Sequence, residues 1–244
     1  MKTRVSSDYT NDNSRKNTMQ FKSHFSGSSG NLHQVISDHG TILLDPGVTM
    51  QKVKHALDFK VSTLDGALVT HSHMDHCKAV SDLMKAGIDC YMTQETANNL
   101  GIDGHRLKVV EPFKLVRFEK WSVMAFPTQH DCPGSVGFVV SDNTERLLYL
   151  TDSYYVRNRF AGLNIIAIEC NYSKETMAPN LDSARKQRLF KSHFSLENVK
   201  SFLKANDLSA VREIHLVHIS RDNGDPEYFK DEIQKATGKP TFAH

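Results

Sequence analysis

Within His71-Ser72-His73-Met74-Asp75-His76, four side chains are able to ligate a transition-metal ion. On a single turn His71 and His73 can face one ion while Asp75 and His76 reach a second, since imidazole and carboxylate suit zinc, manganese, iron or nickel. A solvated histidine-rich loop would have the same composition. Three more residues weigh against that blander reading. His130 follows Phe126-Pro127-Thr128-Gln129, Asp152 follows Leu148-Tyr149-Leu150-Thr151, and His218 follows Ile214-His215-Leu216-Val217. Singly, each reads as a surface or satisfied core residue. All of them stand directly after strand-like runs, the placement required if ligands converge on one edge of a sheet.

The elements that must position these residues are legible as apolar runs. Ala67-Leu68-Val69-Thr70 predicts a buried strand feeding directly into the histidine cluster. Upstream, Phe21, Phe25, Val35 and Ile36, then Thr41-Ile42-Leu43-Leu44, predict two short strands. They are separated by the small-residue turn Gly27-Ser28-Ser29-Gly30-Asn31 and by Asp38-His39-Gly40. Further strands are expected at 90–92, 123–126, 137–140, 147–150, 165–168 and 214–217, with strand-like segments at Val109 and from Phe113 to Phe118. Helical patterns cover 50–57, 79–86, 196–204 and 226–236. Trp121, Phe118, Phe126 and Phe138 fall in sheet segments, so they read as core and not as a platform for stacking bases.

Composition bounds the remainder. With 39% hydrophobic and 24% charged residues, 244 in all, the chain is an ordinary globular one. One domain is expected over residues 20–244, preceded by a disordered polar tail, 1–19, without apolar periodicity. A net charge of +2 does not by itself argue for nucleic acid. Cys77, Cys90, Cys132 and Cys170 have no paired spacing, which predicts reduced thiols. Neither a membrane-length apolar run nor a secretory leader is readable, so a cytoplasmic protein with no membrane partner is expected.

With these motifs in order, the sequence resembles the metallo-β-lactamase superfamily, whose first motif is matched by His71, His73, Asp75 and His76. It is most similar to the YycJ/WalJ-like branch, near the ribonuclease Z group, over nearly all of residues 21–240. The stretches that carry this are Gly27-Ser28-Ser29-Gly30-Asn31, Leu64-Asp65-Gly66, Gln129-His130-Asp131, Thr151-Asp152-Ser153, Ile168-Glu169-Cys170-Asn171, Ser192-His193-Phe194-Ser195-Leu196-Glu197-Asn198 and Val217-His218-Ile219-Ser220. Tyr172 departs from the pattern, which has a histidine after the asparagine. The resemblance implies an α/β (α+β) protein: an αββα sandwich of two mixed sheets flanked by helices. It implies two divalent metal ions, Zn²⁺ or Mn²⁺. His71, His73 and His130 would hold one, Asp75, His76 and His218 the other, and Asp152 would bridge them. An aspartate at the bridging position, where the zinc β-lactamases carry cysteine, disfavours β-lactam hydrolysis.

The activity so implied is phosphodiester hydrolysis on a nucleic acid or nucleotide, most of all by an exonuclease-like DNA or RNA nuclease. Asp75 is the expected proton acceptor, and His193, ahead of an apolar-periodic helix, is expected to stabilise the leaving oxygen. Ser28, Ser29 and Asn31 are candidate substrate contacts because a small-residue turn lets backbone approach a phosphate, although a plain hairpin connection reads the same way. Arg221 and Asn223 are further candidates, or else parts of a surface turn closed by Gly224-Asp225-Pro226. Only 21 residues lie between His130 and Asp152, too few for the tRNA-grasping arm of many ribonuclease Z proteins. Alternatives are a cyclic-nucleotide phosphodiesterase, a small ester or thioester hydrolase, and an inactive nucleic-acid-binding protein. The resemblance also allows a homodimer.

Overall fold

Apolar alternation and turn residues divide the chain into strands that form two sheets. The computed structural model describes residues 18–179 and 181–244. The first sheet holds β1 (Gln20–Phe25), β2 (Leu32–Ser37), β3 (Gly40–Leu44), β4 (Gly66–Leu68), β5 (Cys90–Met92) and β6 (Leu107–Val109), side by side in chain order. β1 to β3 pair antiparallel, and β3 to β6 pair parallel. The second sheet holds β7 (Leu115–Phe118), β8 (Trp121–Pro127), β9 (Val136–Ser141), β10 (Arg146–Leu150), β11 (Ile165–Glu169), β12 (Glu213–Val217) and β13 (Thr241–Ala243). It repeats the plan, antiparallel from β7 to β10 and parallel from β10 to β13.

Both sheets are mixed, and each is covered outside by helices. α1 (Met50–Ala56), α2 (Met74–Cys77), α3 (Val80–Lys85) and α4 (Gln94–Leu100) follow strands of the first sheet; α5 (Ser183–Ser192), α6 (Leu196–Ala205) and α7 (Pro226–Thr237) belong to the second. β8 shows why the sheets face each other. Trp121, Val123 and Ala125, at a period of two, enter a core shared with Leu44, Leu68, Phe138 and Tyr149. β11 is buried on both faces, as a central parallel strand must be, with Ile166 and Ile168 turned toward α6 and α7. α6 presents Leu196, Val199, Phe202 and Leu203 as one apolar stripe and starts at Ser195, whose hydroxyl accepts the Asn198 N–H.

The expected αββα sandwich is therefore the observed architecture, and Trp121, Phe126 and Phe138 lie in the core as expected. All four cysteines are free and buried. The opening differs from expectation: three strands form, not two, because Phe21 and Val35 pair across β1 and β2. α2, α4, α5 and β13 were not foreseen, since α4 and α5 are polar helices without an apolar stripe and the other two are short. Of the tail expected over 1–19, residues 1–17 lie outside the described residues, and Met19 is fully buried between the sheets. Among the described residues no helix is long and apolar enough to cross a membrane.

One buried group in this core makes the fold sensitive to acid. His33 of β2 is fully buried, stacked on Phe21 with centroids 5.3 Å apart; its Nδ1 lies 3.0 Å from Ser23 Oγ and its Nε2 has no partner. Burial pushes its imidazole down from 6.5 to about 3. The neutral ring is thus the folded form, so its contribution to stability is complete above pH 6.5 and is lost as pH falls toward about 3. His33→Phe is expected to flatten the unfolding free energy across that window by about one proton, read from denaturant titrations at several pH values. An unchanged slope would refute the assignment.

Candidate metal centre

The C-terminal ends of β3, β4, β8, β10, β11 and β12 all open on one edge of the sandwich, and each is followed there by a charged or imidazole side chain. Asp45 follows β3, His71 and His73 follow β4, and His130 follows β8. Asp152 follows β10, Glu169 ends β11 and His218 follows β12. Asp75 and His76 come from the single turn of α2, for which His73 is the N-terminal cap residue. Three of these strand-end residues have a left-handed backbone: Asp45 (φ 46°), Asp152 (φ 48°) and His218 (φ 53°). That conformation costs a non-glycine residue about 1–2 kcal/mol, and here it turns the side chain sharply into the cleft.

Three groups of ligand atoms result; one of them, Asp152, Glu169, His193 and His218, shares Asp152 and His218 with the other two. Of those two, His71, His73, His130 and Asp152 form the first and Asp75, His76 and His218 the second, with ligating atoms within 4.8 Å of one another in each. In the first, His71 Nε2 is 3.1 Å from His73 Nδ1, His130 Nε2 is 3.2 Å from His73 Nδ1, and His71 Nε2 is 3.3 Å from Asp152 Oδ2. Ligands about 2.0–2.1 Å from a tetrahedral ion stand roughly 3.3 Å apart, so this spacing fits a cation. In the second, Asp75 Oδ2 is 3.4 Å from His76 Nε2 and 3.5 Å from His218 Nε2. Among the described residues His218 Nε2 is buried without a hydrogen-bond partner, an orphaned polar atom that a bound cation would satisfy. Asp152 Oδ2, 2.8 Å from His76 Nε2, faces both of these groups.

The opposite ring nitrogens are held by outer partners, which decides where each lone pair points. His71 Nδ1 lies 3.0 Å from Thr70 Oγ1, and His130 Nδ1 lies 3.1 Å from the Ser192 carbonyl. His76 Nδ1 donates to Asp45 Oδ2 at 2.8 Å, and His218 Nδ1 donates to Glu169 Oε1 at 3.0 Å. Asp45 is fully buried and also accepts the Thr70 N–H (2.8 Å), the Thr70 hydroxyl and the Tyr149 hydroxyl (2.8 Å). Burial pushes His71 down to about 4, reinforced by the charge of His76, and burial likewise lowers His130. Both are therefore neutral, the ligating form. Burial opposes charge on His76 too, but Asp152 and Asp45 on either side outweigh it and hold this ring well above 6.5. Asp152, despite burial, is held well below the usual carboxylate range by His218 and His76.

His193 lies between the end of α5 and the Ser195 cap of α6, just ahead of the helix terminus expected for it. Its Nδ1 donates to Glu169 Oε1 at 2.6 Å and stands 3.5 Å from Asp152 Oδ1. Burial disfavours its charge, yet the adjacent Glu169 carboxylate outweighs this and raises it to about 11. His193 lines a pocket of about 270 Å³ together with Asp75, His73, His130, Asp152 and His218.

The candidate substrate contacts divide. Ser28 lines this pocket. Ser29 and Arg221 are exposed neighbours, Nη2 to Oγ 3.5 Å, but do not line it. Neither Asn31 nor Asn223 lines this pocket, and the side chains of both hydrogen-bond to the protein itself. Asn31 is buried, accepts the Gly27 N–H at 2.9 Å and donates to the Asp75 carbonyl at 3.0 Å, so it braces the metal loop. Gly47 closes the same brace: a Cβ there would stand 1.7 Å from the Asp75 carbonyl oxygen. Asn223 is buried and accepts the Ala178 N–H at 3.1 Å. Tyr172, the departure noted above, is buried with its ring against Phe190. Asp45, Glu169, Asn171 and Arg188 were missed by the sequence reading; a carboxylate ending an apolar strand, which cannot be buried without partners, was the available signal for the first two.

The fold is shared with known proteins. The family model for the beta-lactamase superfamily domain matches residues 40–219. The chain belongs to the beta-lactamase superfamily. Within that superfamily it is 28% identical over 216 residues to exodeoxyribonuclease WalJ of Streptococcus pneumoniae serotype 2 (strain D39 / NCTC 7466), covering 81% of this chain and 80% of that one. Exodeoxyribonuclease YycJ of Bacillus anthracis is 26% identical over 236 residues, 89% of this chain and 88% of its own. Among solved structures, the metallo-beta-lactamase fold protein YhfI from Bacillus subtilis superposes with a TM-score of 0.71 at 13% identity, covering 93% of this chain and 97% of that one. The resemblance to the YycJ/WalJ-like branch thus holds, and the fold is the metallo-β-lactamase sandwich. With its histidine and aspartate cluster, this superfamily member is a metal-dependent hydrolase, built for divalent ions.

Because Asp45 fixes the donor nitrogen of His76 without touching the cleft, Asp45→Asn is expected to lower divalent-metal affinity about 10- to 100-fold. A competition titration against a chromogenic chelator, with circular dichroism to confirm the fold, checks this. Unchanged affinity would show that Asp45 does not orient the ligand.

Proposed function

We propose that the protein is a dinuclear-metal phosphodiesterase that cuts nucleic acid, DNA above all, as an exonuclease. The observation that carries this is His193, gripped by Glu169 at 2.6 Å on the wall of the pocket that members of both ligand groups line. A hydrolase of esters with good leaving groups needs no such cation; a phosphodiesterase must answer the charge that develops on a departing alkoxide. Two relatives named exodeoxyribonucleases, aligned over most of both chains, support the same reading. So does α5, whose Arg185, Lys186, Arg188 and Lys191 are exposed and whose Arg188 reaches the pocket.

His71, His73 and His130 would hold one ion, Asp75, His76 and His218 the other, with Asp152 serving both; Zn²⁺ and Mn²⁺ both suit this set. The chemistry supplied by bound divalent ions is Lewis acidity toward phosphoryl oxygens and a lowered pKa for water. The protein's own groups do the rest. Glu169 holds His193 as an imidazolium and occupies its Nδ1, which leaves the Nε2 proton for a phosphoryl or leaving oxygen. Asp75 stays ionised in the pocket, since the neighbouring His218 and His76 rings, 3.5 and 3.4 Å from its Oδ2, outweigh its burial, and it is placed to accept a proton from the attacking water. Ser28, on the small-residue turn, lets a phosphate come close.

Purified protein supplied with Mn²⁺ or Zn²⁺ is expected to cleave labelled DNA, to bind about two metal equivalents per chain, and to lose activity to a chelator. His193→Ala should lower turnover about 10²- to 10⁴-fold while metal content stays the same. Failure to cleave any of single-stranded DNA, duplex DNA, single-stranded RNA and duplex RNA would remove the proposal.

A further inference from the structure

Beside the metal centre lies a second, larger hollow of about 460 Å³, which the chemistry described so far leaves unused. Its wall is the irregular segment after Asp152, carrying Tyr154, Tyr155, Arg157 and Arg159, and its floor is formed by Phe194 and by Phe202 of α6. Tyr154 is 36% exposed and Tyr155 53% exposed, unusual for large aromatic rings in a water-facing wall. Both arginines are exposed, and among the described residues neither takes part in an ion pair. No acidic residue lines the hollow.

Its connection to the centre is covalent and short. Tyr154 is two residues from Asp152, a span of at most about 7 Å, and Phe194 directly follows His193. The wall is held in place by Asn198 Nδ2, which donates to the Tyr154 carbonyl at 3.2 Å, and by Ser153 Oγ, which donates to the Tyr155 carbonyl at 2.9 Å. The rings are therefore presented from an anchored backbone, and both line the hollow while partly exposed.

We infer that this hollow is the binding track for unpaired nucleotides of a single-stranded DNA whose scissile phosphate lies at the metal centre. This rests on the nuclease reading and goes further, because it selects the strand state of the substrate. Exposed tyrosine rings stack on bases of any sequence, and unpaired guanidiniums follow the phosphates; both features are what single-strand tracks use. In a duplex the bases are already stacked and paired, so they offer no faces to Tyr154 and Tyr155. A free nucleoside would use the rings but gain nothing from two arginines spaced along the wall.

The test is binding of a fluorescent phosphorothioate oligothymidylate, which resists cleavage, to the metal-loaded full chain by anisotropy, alongside a duplex of equal length. Tyr154→Ala with Tyr155→Ala should weaken single-strand binding about 5- to 100-fold, while Tyr154→Phe with Tyr155→Phe should retain it. Arg157→Gln with Arg159→Gln should reduce the slope of log affinity against log salt by about 0.7 for each phosphate that a guanidinium no longer neutralises. Equal binding of the duplex, absence of single-strand binding by the wild type, or indifference to all three double variants would overturn the inference. Groove-dependent binding of single strands, combined with no cleavage of unmodified DNA in Mn²⁺, would sustain the track and refute the nuclease reading.

Discussion

Asp152 is the constraint around which the molecule is arranged. Its carboxylate is 3% exposed, and His71, His76, His130, His193 and His218 all place a ring nitrogen within 3.9 Å of one of its oxygens. A buried carboxylate without partners would be neutralised by protonation, at a desolvation cost of several kcal/mol for the charged form. Here the surrounding imidazoles keep it ionised, and Asp45 and Glu169 in turn keep those imidazoles oriented. Removing any one member exposes the others to the same desolvation penalty. Such a cluster tolerates little drift in the backbone that delivers it.

The sandwich supplies that rigidity through strand direction. β3 and β4 run parallel in one sheet, and β10, β11 and β12 run parallel in the other, so their C-terminal ends meet at one edge. β8 reaches the same edge because it is antiparallel to β9, which is antiparallel to β10. Each strand is pinned by pairing and by a buried face, and the polar residue that follows is delivered with the precision of the sheet. The left-handed backbone at Asp45, Asp152 and His218 is a cost that this pinning supports, since a looser strand end would relax it and swing the side chain out of the cleft.

How legible the centre is in the sequence follows from the same mechanics. His71, His73, Asp75 and His76 stand out by density, and His130, Asp152 and His218 by following apolar runs, because a strand end is visible as the place where hydrophobicity stops. Asp45 and Glu169 end apolar runs as well, and that placement is the one local signal they give, since each is a single acid beside ordinary loop residues. Asn31 shows the reverse limit of a local reading. Its setting in a glycine- and serine-rich turn suggests a phosphate contact, whereas its amide bridges two segments 44 residues apart in the chain, a contact no window can contain. The sandwich itself was readable from strand and helix patterns joined to the family motifs. α5 was not, since nearly every one of its side chains faces water and it leaves no apolar period behind.

Glu169 joins the two halves of the centre in a way that bears on catalysis. One carboxylate oxygen, Oε1, accepts from His193 Nδ1 at 2.6 Å and from His218 Nδ1 at 3.0 Å, while Oε2 accepts the N–H groups of Ser153 and Phe194. The candidate proton donor and a candidate ligand therefore share a single acceptor, and the strength of one bond depends on the charge carried by the other ring. Electron density drawn toward a bound cation through His218 would make its Nδ1–H a stronger donor and leave Glu169 less negative charge to offer His193. His193 would release its proton more readily under those conditions. A fully buried glutamate would in this way couple loading of the centre to the acidity of the residue beside it.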